Sequence, residues 1–263
     1  MDHARPLRIA YGSGPSQFGE LSLPPGEGPV PGTVVVIHGG FWRSTYGLEL
    51  GRPLAAHLVA RGWAAWNVEY RRVGGHGADA GGWTATFDDV SAAVDALAGP
   101  VAAAAAGRVD VGRVVAVGHS AGGHLAAWLA ARPGLPPDAP GAGPAVRLRG
   151  AVSQAGVLDL VDGARHGVGS GAIENLLGGD PDTVPERYAL GSPIARLPIG
   201  VPVVCVHGSA DPNVPIRQSE RFAAASGAEL ITLPGVEHFA VIDPATAAWH
   251  ACRDAAERLL APE

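Results

Sequence analysis

The sequence predicts an α/β fold in which a mostly parallel central sheet is covered by helices on both faces. Short apolar runs such as Thr33-Val34-Val35-Val36-Ile37 and Val114-Val115-Ala116-Val117 show no alternation with polar residues. Strands buried on both faces read this way. The runs alternate with stretches of helical apolar spacing, the pattern of parallel strands joined by crossover helices. A hydrophobic content of 47% against a charged content of 17% supplies a large core and lacks the signature of disorder. The 263 residues are expected to form one domain, with residues 157–197 as a small cap over a site.

Taken in order, residues 7–11 and 18–23 are expected to be short strands joined through Gly12-Ser13-Gly14-Pro15, a hairpin at a sheet edge. A Pro- and Gly-rich linker over 24–32 leads into the strand at 33–37. Leu50, Leu54 and Leu58 mark a helix over 48–61 that stops at Gly62. A strand at 63–70 follows, then a Gly-rich loop over 71–82. The next helix starts near Thr84 or Thr86, with Phe87, Val90, Val94 and Leu97 on its apolar face. After the strand at 114–117 and a helix from Ala121, a Pro/Gly connection over 133–144 precedes a strand at 148–153. The cap stretch holds short helical pieces broken by Gly and Pro. A strand at 201–208, a helix at 215–226, a last strand at 228–233 and a helix at 244–260 complete the chain.

Composition removes several function classes. A net charge of −6, with no basic run, disfavours nucleic acid. All 19 residues in the Lys+Arg count are arginine, so lysine Schiff bases, pyridoxal phosphate attachment and a P-loop lysine are excluded. Cys205 and Cys252 have neither metal nor redox spacing and are expected to be buried thiols. Residues 1–6 show no apolar leader, and no run is long enough to cross a bilayer. The expectation is a cytoplasmic protein with a small-molecule partner, neither nucleic acid nor membrane.

The chemistry gathers on Gly118-His119-Ser120-Ala121-Gly122, a strand-to-helix turn with a serine at its apex. Such a turn holds the serine in a strained conformation that excludes a Cβ two residues away on either side. Glycine is common enough here that the pattern alone also suits a structural turn, so its partners decide. A serine needs a base to take its proton and an acid to orient that base. In a parallel sheet, these belong on loops after strand C-termini. Asp211 and His238 sit on two such loops. Taken singly, Asp211 also fits an Asx turn before Pro212, and His238 a surface loop. Glu237 and Asp243 are rival acids; Asp211 is preferred, because Glu237 adjoins the base and Asp243 opens the last helix. The amide of Ala121, with that of Gly40 or Phe41, is expected to hold an oxyanion. Trp42 and Trp83 lie near the mouth by topology and suit either an aromatic pocket or core packing. His38, His207, His119 and His124 are expected to be hydrogen-bonded supports, since no spacing completes a metal site. Gly74-Gly75-His76-Gly77 is not expected to hold phosphate.

Over nearly its whole length the chain resembles an α/β-hydrolase of the esterase/lipase type. The resemblance rests on His38-Gly39-Gly40-Phe41-Trp42, on Gly118-His119-Ser120-Ala121-Gly122-Gly123, and on the Asp211 and His238 loops in that order. The His-Gly-Gly-x-Trp loop resembles the kynurenine formamidase branch and its carboxylesterase relatives. That implies hydrolysis of small esters or of arylformamides such as N-formylkynurenine, with no metal or organic cofactor. A short-chain carboxylesterase, a small-peptide or amide hydrolase, a perhydrolase or haloperoxidase-like enzyme and a catalytically silent binding protein are the alternatives.

Overall fold

The computed structural model describes residues 5–261, so most of the N-terminal stretch 1–6 read for a leader lies outside the described residues. Eight strands form one sheet: β1 (Leu7–Ala10), β2 (Phe18–Ser22), β3 (Thr33–Ile37), β4 (Ala64–Val68), β5 (Val114–His119), β6 (Gly150–Gln154), β7 (Val203–Gly208) and β8 (Glu229–Leu233). Their spatial order is β1-β2-β4-β3-β5-β6-β7-β8. The first two pair antiparallel at one edge, as the hairpin reading expects, and β2 meets β4 antiparallel. Every pairing from β4 across to β8 is parallel.

The helices are α1 (Arg52–Ala60), α2 (Ala85–Asp95), α3 (Pro100–Ala104), α4 (Ala121–Ala131), α5 (Leu160–Arg165), α6 (Ala172–Leu177), α7 (Pro185–Gly191) and α8 (Arg217–Ser226), which lie between strands, and α9 (Ala247–Leu260), which follows β8. α3 has no counterpart in the sequence reading; proline opens it and alanines fill it, without an apolar stripe to announce it. Among the described residues no helix is long and apolar enough to cross a membrane.

The two-residue period of the strands divides the apolar side chains between two cores. Val34 and Val36 on β3 pack with Leu54 and Leu58 of α1 and with Trp249 and Cys252 of α9. Val35 and Ile37 face the other way, toward Phe87 of α2, Leu125 and Trp128 of α4 and Phe222 of α8. The cap elements α5 to α7 lie between β6 and β7 and join this second, larger core through Leu160, Ile173, Leu176 and Tyr188.

Strand order decides where a site can form. The chain moves from β3 outward to β4, then returns across β3 to β5. The loops after β3 and β5 therefore diverge, leaving a crevice at the strand C-termini where α/β sheets bind ligands. The loop of residues 38–42 follows β3, and Ser120 follows β5.

Candidate active site

Ser120 stands between the end of β5 and the start of α4 with φ 55° and ψ −116°. This backbone region costs a non-glycine residue about 1–3 kcal/mol and persists only when its surroundings enforce it. Here the enforcement is close packing. A Cβ at Gly118 would overlap the Gly122 carbonyl, and one at Gly122 would overlap the Ile37 carbonyl at the end of β3. With neither present, α4 sits directly on the strand ends and pushes the serine out at the corner. The Ser120 amide donates to the Gln154 carbonyl of the neighbouring β6 at 2.8 Å, tying the corner to the sheet.

His238 and Asp211 meet. The Nδ1 atom of His238 lies 2.6 Å from Asp211 Oδ2, with the histidine 4% exposed and the carboxylate side chain fully buried. Neither Glu237 nor Asp243 pairs with the ring. Asp243 instead accepts from the Ala245 amide just before α9, whose N-cap is Thr246. Two bonds lace the loops that carry the pair, Ser209 N–H to the Leu233 carbonyl and Ala210 N–H to the Val236 carbonyl. The other Asp211 oxygen accepts the amides of Asn213 and Val214, at 2.8 and 2.9 Å. Burial alone would raise the Asp211 carboxyl, but hydrogen bonds from His207, His238 and Val214 outweigh it and hold it well below the usual carboxylate range.

His119, next to Ser120, brings the serine corner and the His238 loop together. Its ring lies against the His238 ring with centroids 4.4 Å apart, and its Nε2–H donates to the His238 carbonyl at 3.0 Å. Burial and the facing His238 push His119 down to about 3, so it stays uncharged beside the His238 ring.

The loop after β3 closes the other side. A Cβ on Gly39 would lie 3.0 Å from the Ser120 Cβ, so this backbone runs against the serine. Gly40, Phe41 and Trp42 all have positive φ, which curls the loop over the corner. Among the described residues neither the Phe41 nor the Ala121 amide donates to a protein acceptor, and the same holds for Gly40. All three are free to meet an oxyanion. Ala121 is free because it opens α4, where the first N–H groups of a helix lack partners.

Beneath this loop lies a polar layer of which only His38 was expected from the sequence. His38 Nε2 lies 2.9 Å from Glu69, and Tyr70 stacks on the His38 ring and donates to the His38 carbonyl at 2.9 Å. Glu69 also accepts from the Leu48 amide and pairs with Arg72 at 2.6 Å. The only sequence signal was a carboxylate at the end of an apolar strand. Of the two roles open to Trp42 the structure takes core packing and not a pocket: its side chain has no exposed surface and lies edge-on to His124. Trp83 is partly buried against Phe87. The exposed aromatic next to the base is Phe239, 58% exposed and edge-on to the His238 ring. From the cap side, the Gly169 carbonyl accepts from Arg43 at 2.6 Å, so the cap loop touches the oxyanion loop.

Comparison with known proteins places this arrangement in context. The fold is shared with a bifunctional GH43-CE protein of Bacteroides eggerthii, at TM-score 0.81 and 23% identity over 97% of this chain. This chain spans 35% of that protein's length. A truncated carbohydrate esterase from gut microbiota aligns at TM-score 0.79 and 21% identity, covering 98% of this chain and 97% of the other. The thermophilic esterase Est2 of Thermogutta terrifontis aligns at TM-score 0.73 and 24% identity, covering 98% and 92%. At these identities the likeness is one of fold, the α/β-hydrolase fold. No curated protein matches the chain. The BD-FAE family model matches residues 20–225, a span that runs from β2 through the elbow and the cap to α8, and the chain belongs to the BD-FAE family.

Proposed function

We propose that the protein is a serine esterase that cleaves small carboxylic esters through an acyl-enzyme on Ser120. The observation that carries this reading is the buried 2.6 Å His238–Asp211 pair, joined through His119 to the corner that holds Ser120 at positive φ, with unpaired backbone amides in the adjoining loop. His238 takes the Ser120 proton as the hydroxyl attacks the carbonyl carbon, and Asp211 holds the ring with Nδ1–H directed to the carboxylate. The negative oxygen of the tetrahedral intermediate falls to the amides of Ala121 and of Gly40 or Phe41. One such donor is typically worth ~2.7–4 kcal/mol of transition-state stabilisation. His238 then returns the proton to the leaving alcohol, and water releases the acid by the same steps.

Esterases among the fold neighbours support the ester as substrate, and the carbohydrate esterase among them supports sugar-borne esters as one source. The closeness of cap and oxyanion loop supports a small substrate rather than a folded protein. The single-domain organisation and a cytoplasmic setting belong to this reading; the two free, buried cysteines support the setting. A second reading, arylformamide hydrolysis, rests on the pentapeptide at residues 38–42.

A fluorophosphonate probe is expected to label the wild type and not Ser120→Ala, which should fold normally and lose ester turnover. A folded wild type that resists the probe would mean a silent binding protein. Short-chain p-nitrophenyl esters are expected to show a higher kcat/KM than N-formylkynurenine; the reverse ranking selects the arylformamide.

A further inference from the structure

The structure assigns His207 as a positioning residue that donates the last hydrogen bond to Asp211; this rests on the serine esterase reading. His207 sits at the end of β7, wholly buried, four residues before the acid. Its Nε2 faces two oxygens that only accept, the Val214 carbonyl at 2.9 Å and Asp211 Oδ2 at 3.3 Å. Its Nδ1 faces the Ser219 hydroxyl of α8 at 2.8 Å. A ring between two pure acceptors and one hydroxyl has a single satisfied uncharged form. Nε2 carries the hydrogen, and Ser219 donates its own hydrogen to Nδ1.

The need for this donor follows from the carboxylate. An ionised carboxylate offers about four lone-pair directions. Oδ1 takes two backbone amides, and Oδ2 takes His238 while His207 Nε2 approaches it to 3.3 Å. With the side chain wholly buried, His207 meets the direction that the other three donors leave open. It therefore fixes which lone pair of Oδ2 is presented to His238, and so the tilt of that ring. The same Nε2–H holds the Val214 carbonyl, closing the turn that carries Asp211. The other titratable groups at this locus are His119, beyond the His238 ring, and Cys205 on β7, whose thiol burial pushes up to about 12.

The decisive comparison is His207→Met against His207→Gln. The two replacements have similar length and flexibility, but only glutamine brings an N–H. Rates are taken per site counted by end-point fluorophosphonate labelling. His207→Met is expected to lower kcat about tenfold, the worth of one hydrogen bond to a charged group, with KM little changed. His207→Gln is expected to recover most of that loss. Equal kcat in the two variants, at either level, overturns the role. If His207→Met does not fold, the ¹⁵N spectrum of the wild-type histidines decides: an Nε2–H tautomer for His207 supports the assignment and an Nδ1–H tautomer overturns it. A wild type that resists the probe would sink the serine reading instead, whatever the tautomer.

Discussion

At the scale of single residues, the site is bordered by histidines held in uncharged form, and this has a thermodynamic consequence. Burial pushes His124 down to about 4 while its Nε2–H donates to the Gly191 carbonyl at 2.8 Å, and His119 is pushed lower still. An unfolded histidine titrates near 6.5. Below that pH the unfolded chain binds protons that the folded protein refuses. The stability contributed by these two groups is thus complete above about pH 6.5 and is lost as pH falls toward 4, at up to about 1.4 kcal/mol per pH unit for each group. Asp211, held low, adds its own loss only under about pH 4. His124→Gln keeps an N–H for Gly191 without titrating. Urea denaturation between pH 6 and 4.5 is expected to show a slope shallower than wild type by about 1 kcal/mol per pH unit. Parallel slopes would mean that the buried ring is protonated in the fold.

The residue scale is also where the sequence was most readable. Ser120, Asp211 and His238 each follow an apolar run, and few residue types can do the chemistry proposed for them. Glu69, Arg72 and Ser219 were not readable as supports. Glu69 and Ser219 act through partners in other elements and Arg72 through Glu69 in its own loop, and an arginine or serine in a loop or helix has many ordinary uses.

At the scale of elements, the cap is anchored by one short helix against another. Asp159 caps α5 by accepting the Asp162 amide at 3.0 Å, and its other oxygen takes two bonds from Arg221 of α8. Asp162 accepts from Gln218 at 2.9 Å and from Arg217. Gln218 in turn accepts the Asp159 amide at 2.8 Å. Because the Arg221 side chain is half exposed, its ion pair is worth little, about 0–1 kcal/mol. The helix cap is the larger part, about 0.5–2 kcal/mol. Asp159→Ala is therefore expected to cost roughly 1–2 kcal/mol in urea denaturation, and Asp159→Asn to regain most of it. Equal losses in the two would mean that the charge, not the cap, holds α5 to α8. The Gly and Pro breaks in residues 157–197 announced short helices, but their docking on α8 depends on these polar contacts and left no periodic trace.

At the scale of the whole molecule, two cores share the backbone of one sheet. The smaller centres on Trp249 of α9, fully buried and donating to His57 of α1 at 2.8 Å. The larger holds Trp66, Trp128 and the cap. Neither core survives without strands that the other also needs, so unfolding is expected to be a single transition. Trp249→Ala should lower stability by about 3–5 kcal/mol, and calorimetry should still show one peak. A separate early transition confined to one face would divide the chain into two units.

The sequence by itself determined the alternation of strands and helices, the edge hairpin, and the glycine-flanked corner at Ser120. These depend on the period of apolar residues and on the space one turn leaves for a Cβ, and both are local. That β4 and β5 flank β3, which sets the loop of residues 38–42 against Ser120, came from the folded arrangement and not from any local pattern. The tertiary structure also turns Trp42 inward to the core, and it brings His238 to 2.6 Å from Asp211, the acid that the sequence already preferred. Those outcomes follow from pairings between distant segments. The hydrophobic effect that drives such pairings is non-directional, so which loops meet is settled by packing the whole chain at once.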